Sequence, residues 1–356
     1  MKDNLLLLTE KSTSFEEGFG QLNLSGFSRV FVLCDENTHR FCWPILEDVI
    51  EKQGISYDLH VEAAGEASKN WRVCLEIWEK LSEAKADRQT LFINLGGGMI
   101  TDLGAFVASV YKRGIPFIHL PTSLLGMTDA AIGGKCGIDF LHFKNQLGLF
   151  AQAESILIYP PFLKTLPTDE RRSGFAEVLK HALIADVDYW KELKNINLGD
   201  WESLAKNIEP SIQIKSQIVE ADPLEKAGRK KLNFGHTVGH ALESYFLKNG
   251  QPIPHGYAIA AGMFVEAFLS VQYSQLPKAD FEDIAQTIRL FYQVLDFTEA
   301  DLDEILSYLK QDKKNEGGKS RFTLLKSIGN AEINVEVEEA DVQKALMIYL
   351  QYHGKA

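Results

Sequence analysis

The run Leu232-Asn233-Phe234-Gly235-His236-Thr237-Val238-Gly239-His240 is followed, after a turn rich in Gly and Pro, by Pro254-His255-Gly256. His236 and His240 are four apart, so on a helix they share a face. A neutral imidazole is a common ligand for zinc or a similar divalent ion, and three protein ligands leave one position open for chemistry. Upstream, Glu177 and Lys180 are three apart on a segment of helical pattern, with His181 also aligned on Glu177. A Glu-x-x-Lys pair by itself reads as a surface ion pair, and a Glu177–His181 metal pair stays open beside it. Lys215, Glu225, Arg229 and Asn233 lead into the histidine run. If the helix starts early enough, Arg229, Asn233, His236 and His240 project from about one face, which is foreign to a core helix. A metal held by one carboxylate and two imidazoles can bind vicinal hydroxyls and lower an alkoxide's pKa. A nicotinamide beside that carbon would accept hydride. Lysines and an arginine would hold a doubly anionic substrate, arginine being suited to a bidentate grip on carboxylate or phosphate.

A second set of residues points to a nucleotide. Gly96-Gly97-Gly98 ends an apolar run and opens a helical one. Glycine allows close backbone approach to a pyrophosphate, and a helix N-terminus favours negative charge. The run is not GxGxxG, so a tight strand-to-helix turn without a ligand is an equal reading. Asp35 ends an earlier apolar run, where its carboxylate could accept ribose hydroxyls or cap a turn. Gly65-Glu66-Ala67-Ser68-Lys69 reads as a solvated loop. Gly133-Gly134-Lys135, shortly after Asp129 and before Lys144-Asn145, suits an anion-binding loop.

The elements that must position these groups alternate in the first half. Arg29–Asp35, Thr90–Leu95, Pro116–Leu120 and Ser155–Tyr159 are apolar strand patterns, and the start of the chain looks like a first strand. Asn70–Ala84 and Thr101–Tyr111 have helical spacing between them. Strands interleaved with helices imply a mostly parallel sheet covered on both faces. From about Thr168 helical patterns follow one another: Glu170–Leu193, Trp201–Ala221, Leu232–Leu247, Tyr257–Tyr273, Lys278–Leu290 and Asp341–Tyr352. One hairpin-like pair, Arg321–Lys326 and Glu332–Val337, interrupts them. The change of character puts a domain boundary near Leu166-Pro167, giving residues 1–167 and 168–356.

Length and composition set limits. The 356 residues are 45% hydrophobic and 24% charged, with a formal charge of −12. That is ordinary globular composition, long enough for two cores. The negative charge speaks against nucleic acid or an anionic membrane as partner, and an anionic substrate would need a local basic pocket. No apolar run approaches a membrane span. Cys34, Cys42, Cys74 and Cys136 lack CxxC spacing and read as reduced thiols in a cytoplasmic protein.

With these residues in hand, the chain resembles the 3-dehydroquinate synthase family of the shikimate pathway, over essentially its whole length. The motifs are LGGGMITDLGAFVASVYKRGIPFIHLPTSLL, TDAAIGGKCGIDF, KNQLGLF, FLKTLP, GFAEVLKHALI, DPLEKAGRKKLNFGHTVGHALES, PHGYAIAAGM and QDKKNEGGKSRFTLL, in that order. The resemblance implies an α/β N-terminal NAD-binding domain with a Rossmann-like sheet, an all-helical C-terminal metal-binding domain, and a homodimer. It implies Glu177, His236 and His255 as ligands of Zn2+ or Co2+, with His240 a catalytic hydrogen-bonding group beside the metal. It puts Asp35, Asn37, Glu66, Lys69, Gly97, Gly98, Asp102, Thr122, Ser123, Asp129, Lys144, Phe162, Thr165 and Leu166 around NAD. Around the anionic substrate it puts Lys135, Asn145, Lys180, Lys215, Glu225, Arg229, Asn233 and the Asp312-Lys313-Lys314 run, with Arg113 reaching the neighbouring subunit's site. The family's Val-Asp-Ser-Ser run reads Thr128-Asp129-Ala130-Ala131 here, a small-for-small change that keeps the aspartate.

The implied reaction converts 3-deoxy-D-arabino-heptulosonate 7-phosphate to 3-dehydroquinate and phosphate. A transient oxidation by NAD acidifies the neighbouring C–H, phosphate is eliminated, the hydride returns, and an intramolecular aldol step closes the ring. The enzyme is then a lyase that regenerates its NAD. Three other readings compete. A sibling sugar-phosphate cyclase, of inosose or valiolone type, would not need the carboxylate-binding set of Lys215, Arg229 and Asn233. A metal-dependent polyol dehydrogenase would release no phosphate. A non-catalytic interaction protein would not retain every charged position.

Overall fold

The computed structural model describes residues 5–8, 14–22, 24, 26–141, 143–313 and 321–352. Backbone contacts divide the chain into two compact units. One holds Met1–Pro167 with Gly199–Ile212, the other Thr168–Leu198 with Gln213–Ala356. The third division, between Ile212 and Gln213, falls inside a helix, where local sequence gives no signal.

The first unit is built on six parallel strands: β1 (Leu5–Leu7), β2 (Arg29–Asp35), β3 (Tyr57–Glu62), β4 (Thr90–Gly96), β5 (Phe117–Pro121) and β8 (Ser155–Ile158), in the order β1-β8-β5-β4-β2-β3. Every residue of β4 is buried, and so are the five inner residues of β2. Continuous apolar strands of this kind belong to a sheet covered on both faces. The helices α1 (Phe15–Gly20), α2 (Glu36–Phe41), α3 (Trp43–Lys52), α4 (Trp71–Glu83) and α5 (Gly98–Val110) connect them. An antiparallel hairpin, β6 (Lys135–Phe140) and β7 (Phe143–Phe150), packs on α5. A short helix, α8 (Trp201–Ala205), returns to the turn Pro160–Lys164, where Lys164 stands over the Trp201 ring.

The second unit is helical: α6 (Thr168–Ala185), α7 (Val187–Leu193), most of α9 (Ile208–Ala221), α10 (His236–Lys248), α11 (His255–Tyr273), α12 (Lys278–Phe291), α13 (Leu302–Lys313) and α14 (Glu339–Tyr352). It also carries the antiparallel pair β9 (Arg321–Ser327) and β10 (Asn330–Glu336), so the expectation of an all-helical domain needs that one addition. α11 is the axis. It is apolar on nearly all sides and packs on α6, α10, α12, α14 and β9.

Three expected helices are broken, two of them for a local reason. Glu170–Leu193 divides at Asp186, whose carboxylate accepts the N–H groups of Asp188 and Tyr189 and so caps a new helix. Trp201–Ala221 divides after Ala205. Leu232–Leu247 divides at Gly235, which has a φ of 81° and ends a separate 3-10 turn, Gly228–Asn233. A left-handed residue cannot continue a helix. Arg229 and Asn233 therefore sit on that turn and not on the helical face of His236 and His240.

Candidate active site

The second unit brings three helix segments to one point. Glu177 lies mid-way along α6 and is fully buried, while His236 and His255 are the first residues of α10 and α11. One ligand atom from each lies within 4.8 Å of the others. The Nε2 atoms of His236 and His255 are 3.5 and 3.4 Å from the same Glu177 oxygen. Small residues make this approach possible. A Cβ on Gly256 would stand 1.9 Å from the Ser173 carbonyl oxygen, one turn before Glu177, and the Gly256 N–H donates to Ser173 Oγ at 3.0 Å. A Cβ on Gly262 would stand 1.9 Å from the Gly235 carbonyl oxygen. Backbone contact between α11 and both neighbours thus fixes the register of the three donors.

The rings are oriented from behind. His236 Nδ1 is 3.2 Å from the Phe234 carbonyl oxygen, and His255 Nδ1 is 3.3 Å from Glu243 Oε2. Anchoring Nδ1 leaves Nε2 to face the centre, the usual arrangement of a metal-ligating imidazole. Burial, then Lys180, hold His236 well below the usual imidazole pKa, so it is a neutral donor. Burial also disfavours a charged His255, but Glu243 and Glu177 hold its imidazole up at about 10. Burying a carboxylate beside two imidazoles is costly unless a positive charge answers it. Lys180 pairs with Glu177 and is itself buried. One carboxylate and two imidazoles form a donor set that fits Zn2+ or Co2+. The His240 ring centroid lies 5.2 Å from that of His236 and 6.2 Å from that of His255, beside the donor group and outside it.

The second unit also buries cations, within a chain of formal charge −12. Lys180, Lys215 and Arg229 are all buried. Arg229 is set by a loop that Asp222 organises, accepting N–H bonds from Ala227, Arg229 and Lys226 at 2.7, 3.1 and 3.0 Å. Those bonds, led by the one from Ala227, hold the Asp222 carboxyl below its usual range. Arg229 Nη1 donates to the Pro223 carbonyl oxygen at 2.8 Å. Asn233 donates to Glu225 Oε1 at 3.1 Å, and Glu225 itself has a φ of 57°. Lys313 ends α13 with its side chain outside the described residues, and Lys314 lies outside them altogether.

The first unit gathers the nucleotide candidates at the carboxyl ends of its strands, where open parallel sheets bind ligands. Asp35 caps α2 through Thr38, so the turn-capping role is real, and Asn37 follows on the same helix. Gly97 caps α5 without a side chain, and Gly98 is its first residue. A Cβ on Gly97 would meet Ser123 Oγ at 3.1 Å and one on Gly98 the Ala130 Cβ at 3.2 Å. The glycines therefore serve close packing as well as an open helix N-terminus. Thr122 donates its N–H to the Gly96 carbonyl oxygen at 2.9 Å, and Ser123 Oγ accepts from Gly126 N–H at 3.1 Å. Asp129 lies on the π-turn that follows.

Lys69, read as part of a solvated loop, is buried and donates to Asp102 on α5 at 2.7 Å. Burial alone would lower its pKa, but Asp102 and Glu66 raise it above the ordinary lysine value. Glu66 also lies 3.7 Å from Lys69 Nζ and 3.8 Å from Lys144 Nζ, so four of the candidates form one charged chain. Lys135 opens β6, and Asn145, with a φ of 53°, donates its N–H to Asp139 at 2.8 Å. The Phe162 ring is buried among Phe15 and Tyr159, which makes it core, with Thr165 and Leu166 just after the same turn. Arg113 stands exposed at a φ of 69° in the turn after α5.

Two buried carboxylates here were not expected from sequence. Glu243 stands seven residues after His236 and Glu266 eleven after His255, both helical repeats that return to one face. That spacing is the signal by which they could have been found.

The 3-dehydroquinate synthase N-terminal family model matches residues 59–173, and its C-terminal counterpart matches residues 174–315. The 3-dehydroquinate synthase of Parabacteroides distasonis is 39% identical over 330 residues, 92% of this chain and 93% of that one. The chain belongs to the 3-dehydroquinate synthase family. Its fold is shared by the 2-epi-5-epi-valiolone synthase of Streptomyces hygroscopicus subsp. jinggangensis 5008, solved with NAD+ and Zn2+. That match has a TM-score of 0.85 at 23% identity, over 98% of this chain and 96% of the other. A 2-deoxy-scyllo-inosose synthase solved with carbaglucose-6-phosphate, NAD+ and Co2+ matches at a TM-score of 0.83 and 21% identity, over 96% and 95% of the two chains.

Proposed function

We propose that the chain is a 3-dehydroquinate synthase, an NAD- and divalent-metal-dependent lyase that turns 3-deoxy-D-arabino-heptulosonate 7-phosphate into 3-dehydroquinate and phosphate. The observation that carries this reading is the 39% identity over nearly the full length of a 3-dehydroquinate synthase, against 21–23% to cyclases of inosose and valiolone type. The buried Lys180, Lys215 and Arg229 favour the same choice, because a substrate with both carboxylate and phosphate needs more fixed cations than a sugar phosphate without a carboxylate.

When bound, NAD+ would supply a reversible hydride acceptor and the divalent ion a Lewis acid. Glu177, His236 and His255 hold the ion. His240 hydrogen-bonds substrate beside it. Lys180, Lys215, Arg229 and Asn233 fix the anionic groups, Glu225 orients Asn233, and the Lys313-Lys314 run adds phosphate contacts. Lys135 and Asn145 are assigned to substrate by family likeness. The Lys69–Asp102–Glu66–Lys144 chain and the Gly97-Gly98 turn would hold the nucleotide, together with Asp35 and Asn37. No side-chain base is assigned to the elimination, and the substrate's own phosphate would take that proton.

The working form is a cytoplasmic homodimer in which Arg113 serves the partner's site. Arg113 and nearby Val110 are both exposed, as that role requires. The test supplies NAD+ and Zn2+ or Co2+ with the heptulosonate phosphate or with glucose 6-phosphate. Phosphate and dehydroquinate should appear together from the first substrate alone. Turnover of glucose 6-phosphate to an inosose instead would transfer the protein to the sibling cyclases.

A further inference from the structure

His236 and His255 share an awkward position, each being the first residue of a helix. The first turn of a helix leaves backbone N–H groups without intrahelical partners. The residues before them, Gly235 and Pro254, offer no capping side chain. The start of α10 is supported instead by a buried carboxylate from α11, while at the start of α11 the Gly256 N–H donates to Ser173 Oγ and a buried carboxylate from α10 holds the His255 ring. Glu266, on α11, accepts the N–H groups of Gly235 at 2.7 Å and Val238 at 3.1 Å. Glu243, on α10, meets the imidazole of His255 at 3.3 Å. Both carboxylates are withdrawn from water, and Glu266 is the one charged side chain between Gly256 and Tyr273. A carboxylate is costly to bury and is retained where its oxygens are used.

We propose that Glu243 and Glu266 are positioning residues that clasp α10 and α11 reciprocally, and that Glu243 sets the metal affinity of the Glu177–His236–His255 group by holding the His255 ring. Glu266 fixes the backbone that presents His236. Glu243 fixes a side chain directly, so its influence falls on the metal more than on the fold. The close passage of Gly262 against the Gly235 carbonyl keeps the two helices in the register both contacts require. The inference rests on the metal reading above.

The experiment measures Zn2+ and Co2+ affinity by chelator competition in the full-length protein, with the visible spectrum of the Co2+ form and the melting temperature of the metal-free form. The variants are Glu243→Ala, Glu243→Gln, Glu266→Ala and His255→Ala. Glu243→Ala should weaken metal binding by about 10- to 100-fold and alter the Co2+ spectrum, while the metal-free melting temperature stays near that of the parent. Glu243→Gln should recover most of the affinity, since its amide oxygen still accepts from Nδ1–H. Glu266→Ala should lower metal affinity and metal-free stability together. Unchanged affinity in Glu243→Ala, with metal lost from His255→Ala, would overturn the proposal and leave the metal reading intact. An affinity loss that follows melting temperature and is not recovered by Gln would also overturn it. Metal bound normally by His255→Ala would overturn both.

Discussion

His236→Ala and His255→Ala are each expected to strip the protein of its divalent ion and, with it, of turnover. Each removes one of three donors that stand within 4.8 Å of one another. The loss of affinity should exceed the roughly 10- to 100-fold that removal of an outer-shell partner costs, because a ligand is removed and the geometry of the remaining two is open. His240→Ala should keep most of its metal and lose rate, its ring being adjacent to the donor group and outside it. Metal analysis after dialysis separates the three. Metal lost from the His240 variant and kept by the other two would reverse the assignment.

Arg113→Ala is expected to lower kcat/KM by about ten- to a hundred-fold, the worth of roughly 1.5–3 kcal/mol for a charge-assisted contact to phosphate. Metal content and NAD+ affinity should be unchanged, since the residue is exposed in the turn after α5. Mixing Arg113→Ala with Lys135→Ala subunits sharpens the test. If Arg113 serves the partner, one site in each mixed dimer carries neither lesion and activity partly returns. Heterodimers that form without any recovery would mean that Arg113 acts in its own subunit.

The sheet and the metal group were legible in the sequence for different reasons. β2 is a continuous apolar run with a polar stop, and its bounds as expected, Arg29–Asp35, are those observed. The choice of His255 over His240 beside Glu177 and His236 came through family likeness, because nothing in local spacing makes it, and the three side chains do cluster. β3, Tyr57–Glu62, gives no clear strand signal because it is a half-buried edge strand whose polar residues break the apolar run. The β6–β7 hairpin was hidden by glycines read as an anion loop, and α13 by its many charges. Lys69 looked solvated because burial of a lysine is decided by a distant partner, here Asp102, thirty-three residues away. Glu243 and Glu266 carry no local sign of burial, because a glutamate on a helix ordinarily faces water. Gly235 carried the break between the Arg229 turn and the histidine helix, and a glycine's φ is set by the tertiary contact it must allow, in this case with Met263 and the Ile259 carbonyl.

The most direct test of the central claim is to follow dehydroquinate, phosphate and NADH together with NAD+ supplied well below the heptulosonate phosphate. The account expects many turnovers per NAD+, equal amounts of dehydroquinate and phosphate, and no net NADH. NADH accumulating in step with product, or oxidation of substrate without phosphate release, would contradict it and make the protein a dehydrogenase.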